Sequence, residues 1–277
     1  MQLLNDHVVL ITGSGSGLGL GIARYFRDEG ATLALFEYDE SKVSKLQDEF
    51  GDDVLVVHGD VRSIADLTRC RDEVVGRFGR LTAIVGAQGI YDGNVRLADI
   101  PVERLDTLLD EIFAVNVKGY ALTARIFFDL LDAEEGAVVL TCSQAAFAAD
   151  GGGVAYTASK GAIRALVNQL SFEFAPRVRV NAVAPSGIAN SQLRGPAALG
   201  LQDSLQSDIP ADAFRQQFEW LAPLQHMPSP EEYGPLYAFL ASRHNRVMTG
   251  QTVLADSGAL NRALISTGEL MATMPGA

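Results

Sequence analysis

The sequence predicts an α/β protein, a parallel sheet covered by helices on both faces. Three observations carry that expectation. Short apolar, β-branched runs alternate with longer stretches of helical periodicity along the chain. The first run, His7-Val8-Val9-Leu10-Ile11-Thr12, is almost continuously apolar, as a strand buried on both faces must be. It leads directly into Gly13-Ser14-Gly15-Ser16-Gly17-Leu18-Gly19 and then a helical pattern. In the order strand, glycine-rich turn, helix, backbone N–H groups can approach a pyrophosphate at a helix N-terminus. The spacing here is Gly-x-x-x-Gly-x-Gly at Gly13, Gly17 and Gly19, and the fingerprint Gly-x-Gly-x-x-Gly is met in no register.

The first helix runs through Ile22, Ala23, Tyr25 and Phe26 and closes with Gly30 at C′. Ala31 to Phe36 is a second strand, with Glu37 at its carboxyl end. There an acidic side chain can accept hydrogen bonds from two ribose hydroxyls and repel a 2′-phosphate. The competing reading of Glu37 is a solvated side chain in a loop with Asp39 and Glu40. No Arg or Lys stands at Ser14, Ser16 or Tyr38 to receive a 2′-phosphate, which favours NAD over NADP. Asp53 to His58 is a third strand, and Ser63 opens a helix with Asp66 in the capping-box place.

Leu81 to Gly86 is a fourth strand, followed by Ala87-Gln88-Gly89 and the polar loop Tyr91-Asp92-Gly93-Asn94. A long helical region spans roughly Val102 to Asp132 and contains Asn116. Ala137 to Cys142 is a fifth strand, and a helix covers about residues 154 to 175. Val178 to Ala184 is a sixth strand, stopped by Pro185. Residues 186–221 break into Gly, Pro, Asn, Gln and short amphipathic pieces, the pattern of a substrate lid. Leu193, Leu199, Leu201, Leu205, Phe214, Phe218, Trp220 and Leu221 would give that lid an apolar wall. Glu231 to Ser242 is the last helix, and Gln251 to Ala255 a seventh strand. No repeat, linker or low-complexity tract divides the chain, so residues 1–277 are expected to form one domain.

At 48% hydrophobic residues the chain has enough apolar surface for a sizeable core. A net charge of -12 without a Lys/Arg run argues against nucleic acid as partner. No apolar stretch reaches membrane-span length, and Met1 to Asp6 lacks the basic start of a signal peptide. Cys70 and Cys142 fall in an expected helix and an expected buried strand, which suggests reduced thiols and a cytoplasmic protein. His7, His58, His226 and His244 are scattered without metal-ligand spacing, and no metal is expected.

The chemistry is concentrated between Ser143 and Lys160. Ser143 stands at the carboxyl end of the fifth strand, where ligands bind in open α/β sheets. Tyr156 and Lys160 are four residues apart and stack on one face of the following helix. A free phenol, with pKa about 10, is a poor base at neutral pH. An ammonium within ~4–6 Å favours phenolate, and a cationic cofactor ring acts in the same direction. Tyr156 would then take a proton from an alcohol whose oxygen Ser143 holds. The plain alternative is a half-buried tyrosine beside a snorkelling lysine.

The residues Thr12-Gly13-x-x-x-Gly17-x-Gly19, Asp60, Asn116, Ser143, Tyr156 and Lys160 occur here together with Arg179-Val180-Asn181-Ala182-Val183-Ala184-Pro185. In these marks the chain resembles the short-chain dehydrogenase/reductase family over nearly its whole length. The resemblance implies a Rossmann-like, doubly wound parallel sheet of about seven strands. It implies a catalytic set of Asn116, Ser143, Tyr156 and Lys160, with Asn116 steadying a water that links Lys160 to solvent. It also implies NAD contacts at Gly13, Ser16, Gly17, Leu18, Gly19, Glu37, Asp60, Val61, Gly89, Lys160, Pro185 and Ile188, with Asp60 toward the adenine and Lys160 on the nicotinamide ribose.

A narrower likeness is to the bacterial cis-dihydrodiol dehydrogenases of biphenyl and phenylpropionate breakdown. It is carried by Ile90-Tyr91-Asp92, Asn116-Val117-Lys118-Gly119-Tyr120, Gly151-Gly152-Gly153 ahead of Tyr156, the run Glu173 to Asn181, and Leu193-Arg194-Gly195-Pro196-Ala197-Ala198-Leu199-Gly200 in the lid. Such enzymes oxidise a cis-diol to a ketone that tautomerises to a catechol, reducing NAD. Three departures stand out. Ala87-Gln88-Gly89 replaces the family's Asn-Ala-Gly; Pro185-Ser186-Gly187 replaces Pro-Gly, with Asn190 where many members have a Thr; and Gln144 stands in place of an Asn after the catalytic Ser. Gln144, Asn190 and Arg194 are the candidate substrate contacts, Arg194 for a carboxylate.

Two other readings compete: an NAD-dependent dehydrogenase of another secondary alcohol, and a nucleotide-sensing regulator on the same fold. A sensor has no use for a base beside an alcohol-binding serine. The helices near Ala114 to Leu131 and Tyr156 to Phe174 carry more apolar residues than one sheet face needs, and in the family they pair across a two-fold axis, which implies a homotetramer.

Overall fold

β1 (Val8–Thr12) is buried at every position, because its alternate side chains enter two separate cores. Val8 and Leu10 join one cluster with β4 (Ala83–Gly86) residue Ile84 and β5 (Ala137–Thr141) residues Val138 and Leu140. Val9 and Ile11 join the other, with Ala83, Val85, Ala137 and Val139. Each fully buried Val, Leu or Ile contributes roughly 1.5–3 kcal/mol of transfer free energy, and that burial on both faces holds the layers together. The structure is a computed structural model that describes residues 2–149, 151–206 and 211–261. The side chains at 211, 213, 214 and 217 are outside what it describes, Phe214 of the expected lid wall among them.

The remaining strands are β2 (Thr32–Glu37), β3 (Leu55–His58), β6 (Arg179–Pro185) and β7 (Thr252–Ala255). All seven pair in parallel, in the order β3-β2-β1-β4-β5-β6-β7. On one face lie α3 (Ile64–Phe78), α5 (Gly119–Ile126), α6 (Phe128–Ala133) and α7 (Val154–Glu173), through Leu67, Tyr120, Leu131 and Ile163. On the other lie α1 (Gly17–Asp28), α2 (Glu40–Phe50) and α9 (Gly234–Ala241), through Ile22, Leu46 and Tyr237. The chain leaves β1 in one direction for β2 and returns on its other side at β4. This reversal opens a crevice at the carboxyl ends of the strands, where open α/β sheets bind ligands.

Three local details differ from the periodicity. α2 has little apolar periodicity to announce it, because only Val43, Leu46 and Phe50 of its eleven residues are buried; Asp39 caps it by accepting from Ser41 N at 2.9 Å. The expected single helix from 102 to 132 is α4 (Val102–Phe113), a π-turn (Ala114–Lys118), α5 and, past a break at Phe127, α6. The lid contains a regular helix, α8 (Ala211–Leu221), and an antiparallel bridge between Arg194 and Leu205. The Ser63 cap is present, with Ser63 Oγ accepting from Asp66 N at 3.2 Å. The Ser63 N–H donates to Asp60 O at 2.9 Å rather than to Asp66, whose carboxylate accepts from Asp60 N at 3.1 Å and so ties the end of β3 to α3.

Candidate active site

A cleft of about 1250 Å³ occupies the crevice. Its floor begins at the turn between β1 and α1. Gly13 has φ +73°, and a Cβ there would lie 2.6 Å from Gln88 Cα, so only glycine lets the β1 and β4 loops approach this closely. The turn delivers the first N–H groups of α1 to the cleft without intrahelical partners, a donor set suited to a phosphate.

Beside the turn, Glu37 ends β2 and is buried at 8% exposure, which removes the solvated-loop reading. Its Oε2 accepts from Gly15 N at 2.8 Å, and its Oε1 from Tyr38 N at 2.9 Å and Asp39 N at 3.0 Å. A carboxylate offers about four lone-pair sites, so room remains for a hydroxyl donor from a ribose. Asp60, expected to face an adenine, is held by Arg62, whose Nε and guanidinium nitrogen bond both carboxylate oxygens at 2.6 to 3.0 Å. The guanidinium also lies 5.7 Å from the Tyr38 ring centroid. Both Asp60 and Arg62 are shifted toward their charged forms by this pair. Lys42 of α2 reaches the same corner and donates to Ser16 Oγ at 3.0 Å. Neither cation carries a local signal, since Lys42 is in the first turn of a mostly exposed helix and Arg62 lies in a loop.

At the other end of the cleft, α7 and β5 bring Ser143, Tyr156 and Lys160 together. Ser143 caps the short turn Gln144–Ala146, its Oγ accepting from Ala145 N at 3.2 Å, and it hydrogen-bonds the Tyr156 phenol. Lys160 Nζ donates to Thr141 O at 3.0 Å and stands 5.4 Å from the Tyr156 ring centroid. The electrostatics correct the expected depression of the phenol by Lys160. Burial pushes the Tyr156 phenol well up, and only the Ser143 hydrogen bond draws it back. Burial also lowers the Lys160 ammonium to about 8. Both groups sit inside the protein, and the same desolvation works against phenolate and ammonium alike.

Asn116 lies in the π-turn, fully buried behind the cleft. Its Oδ1 accepts from Ile90 N at 2.9 Å, while its Nδ2 donates to Ile90 O and Ser159 Oγ, both at 3.0 Å. The side chain therefore fastens the loop after β4 to α7. Gly13, Ser16, Gly17, Leu18, Gly19, Glu37, Asp60, Val61, Gly89, Pro185 and Ile188 all line the cleft, as do Gln144 and Arg194. Asn190 does not; it sits in a left-handed turn with φ 56° and accepts from Gln192 Nε2 through its backbone. Leu193, Phe218 and Leu221 of the expected apolar wall line the cleft, whereas Trp220 is exposed at 41%.

The departures from the family pattern find partners. Gln88 is buried, and its Oε1 accepts from Thr12 Oγ1 at 2.5 Å, bracing β1 against the β4 loop as the missing Asn would. Gln144 Oε1 accepts from Ser186 Oγ, so two of the unusual residues are paired with each other. Tyr91 and Asp92 carry the narrower likeness but were given no role at the site: the Tyr91 ring stands edge-on to Tyr156 at 5.1 Å and 82°, and Asp92 caps α7. Their spacing in a polar loop carries no periodic signal. Among the described residues no group of His, Cys, Asp or Glu is placed to hold a metal ion, and no described helix is long and apolar enough to cross a membrane.

Known proteins agree with this arrangement. The short-chain dehydrogenase model described as enoyl-(acyl carrier protein) reductase matches residues 13–259. A 3-phenylpropionate-dihydrodiol/cinnamic acid-dihydrodiol dehydrogenase of Escherichia coli O7:K1 is 42% identical over 267 residues, covering 95% of this chain and 97% of the relative. The enzyme of the same description from Shigella boydii serotype 4 is also 42% identical, with the same coverage. In fold, the crystal structure of gox2181 superposes with a TM-score of 0.79 at 22% identity, covering 93% of this chain and 97% of that one. A 3-ketoacyl-(acyl-carrier-protein) reductase from Brucella melitensis, complexed with NADH, gives 0.78 at 24% identity over 92% and 98%. With glycine turn, acidic strand end, and serine, tyrosine and lysine in one cleft, this chain belongs to the short-chain dehydrogenase/reductase family.

Proposed function

We propose that the protein oxidises a cis-dihydrodiol of an aromatic compound to the corresponding catechol, with NAD as acceptor. The observation that carries this reading is the convergence of Ser143, Tyr156 and Lys160 opposite the Glu37 corner of one cleft, in a chain 42% identical to dihydrodiol dehydrogenases. The glycine turn and α1 N-terminus would hold the pyrophosphate, Glu37 a ribose, and Lys160 the ribose nearer the reacting ring. When bound, NAD accepts a hydride and, while oxidised, adds a positive charge near the phenol. Ser143 holds the alcohol oxygen, and Tyr156 takes its proton as the carbon gives up hydride. The resulting ketone loses a ring proton and tautomerises to the catechol. Asn116 keeps the β4 loop and α7 in register throughout, and a water held in that register would link Lys160 to solvent.

Arg194 lines the cleft and has no carboxylate partner among the described residues, so a substrate carrying a carboxylate side chain fits it. Gln144, aimed by Ser186, would bind a second hydroxyl. The deciding experiment follows NADH absorbance with cis-dihydrodiols bearing or lacking a carboxylate and with plain secondary alcohols. Turnover of dihydrodiols, fastest with the carboxylate, supports the reading; turnover confined to plain alcohols replaces it with the wider secondary-alcohol function.

Two predictions arise here. The buried Glu37 carboxylate repels a 2′-phosphate despite the nearby Lys42, so kcat/KM with NAD exceeds that with NADP by about tenfold or more, the factor that about 1.4 kcal/mol supplies. Comparable values with both cofactors would remove that role from Glu37. A cytoplasmic homotetramer is the expected state, supported by free cysteines and by exposed apolar side chains on the outer helices, Val102 at 83% and Phe172 at 81%. Light scattering at micromolar concentration reads it directly; a monomer contradicts it.

A further inference from the structure

The loop after β4 does more than border the cleft. Asn116 clamps Ile90 at both its N–H and its C=O, and Tyr91 N donates to Arg194 O of the lid at 2.9 Å. Next comes Asp92, 1% exposed, with its carboxylate against the first turn of α7. Its Oδ1 accepts from Gly153 N at 2.8 Å and its Oδ2 from Tyr156 N at 2.9 Å, while Asn94 N lies 3.3 Å from Oδ1. α7 begins on Gly153 and has no side-chain cap of its own. Asp92 supplies that cap from another loop, with a negative charge at the positive end of the helix.

This contact also accounts for the glycine run ahead of the helix. A Cβ at Gly153 would lie 2.6 Å from Asp92 Oδ2, and one at Gly152 would lie 2.5 Å from Tyr156 Cδ1. Side chains at either position would push the carboxylate or the phenol ring away. Glycine is needed here for close approach, since neither residue has positive φ.

We propose that Asp92 is a positioning residue of the reaction, a cap delivered from a distant loop that fixes the backbone of Tyr156 and keeps a negative charge near its phenol. The inference rests on Tyr156 as the base. The groups facing that phenol are Lys160 from its own helix, Cys142 and Ser143 from the end of β5, and Tyr91 and Asp92 from the β4 loop. Among the described residues Asp92 is the only carboxylate in that set. Behind burial, which dominates, its charge adds to the upward push on the phenol and opposes the Ser143 hydrogen bond. The same carboxylate that orients Tyr156 thus makes it hold its proton more tightly.

The test compares Asp92→Asn and Asp92→Ala with wild type, and Asp92→Asn/Tyr156→Phe with Tyr156→Phe. Asp92→Asn keeps a carbonyl acceptor for one helix N–H but removes the charge. Its pH–kcat limb, and the tyrosinate absorbance of the NAD-saturated enzyme taken as the difference from the matching Tyr156→Phe protein, should move to lower pH. Asp92→Ala leaves the N–H groups of Gly153 and Tyr156 unmatched and frees the helix end. A displacement of about an ångström at the reacting group lowers kcat by about 10²-fold, with KM for NAD unchanged. If Asp92→Ala does not fold, Asp92→Asn carries the test alone. Lower thermal stability with kcat, KM and the Tyr156 titration all at wild-type values would overturn the proposal and leave Asp92 a structural cap. Loss of the base assignment would show separately, as a Tyr156→Phe enzyme that still turns over.

Discussion

Replacing Tyr156 with phenylalanine should lower kcat by about 10²–10⁴-fold, the range a positioned general base supplies. The fold should be nearly untouched. Phenylalanine keeps the ring, which is 7% exposed and edge-on to Tyr91 at 5.1 Å. What goes is one hydroxyl bonded to Ser143, worth about 0.5–1.5 kcal/mol. NAD affinity should also hold, because the glycine turn and Glu37 lie at the other end of the cleft. Wild-type activity rises with pH as the phenol gives up its proton, and that limb should be missing from the variant. Near wild-type turnover with an unchanged limb would place the base elsewhere and return Tyr156 and Lys160 to ordinary packing.

The second large effect concerns Lys160, which is 3% exposed with its ammonium on Thr141 O. Its pKa falls from 10.5 to about 8 on folding, through burial. Below pH 8 both folded and unfolded chains carry the proton, and the buried cation costs about 3 kcal/mol. Between about 8 and 10.5 only the unfolded chain binds it, so this residue makes stability rise with pH. Buried Cys70 and Cys142 act the other way from pH 9, and Tyr156 from pH 10, since burial raises those groups above their unfolded values of 9.0 and 10.0. Lys160→Met removes only the lysine contribution. It should be more stable than wild type near pH 7, with the difference in Tm shrinking through pH 8 to 10. The same variant should lose kcat and bind NAD more weakly, because it removes both the charge beside the phenol and the ribose donor. A Tm difference that does not change with pH would show that the ammonium is not strained by burial.

Much of this molecule can be read from local pattern. The central strands announce themselves because a strand covered on both faces has to be apolar at almost every position, as Val8 to Ile11 and Ala137 to Leu140 are. Gly13, Gly17 and Gly19 mark a turn that only glycine fits, and four-residue spacing is enough to stack Tyr156 on Lys160. These are properties of neighbouring residues, and neighbours in sequence are what periodicity reports.

The rest depended on segments that meet only after folding. Asp92 and Tyr156 are 64 positions apart, and nothing near either one signals that a carboxylate caps the helix of the other. Gln88 replaces the family's asparagine by reaching Thr12, and Gln144 after β5 finds Ser186 at the end of the neighbouring β6. Asp60, which the resemblance turns toward the adenine, is also gripped by Arg62 of the following loop. Charge was the least legible of all. Spacing alone suggested that Lys160 lowers the Tyr156 phenol, but the tertiary structure buries both, and desolvation scales with everything packed around a group rather than with its nearest neighbour on a helix. The amino-acid sequence by itself determined the glycine turn, the acidic strand end and the serine, tyrosine and lysine of the cleft; the packing of distant loops decided their proton affinities, their partners and the other groups that join them.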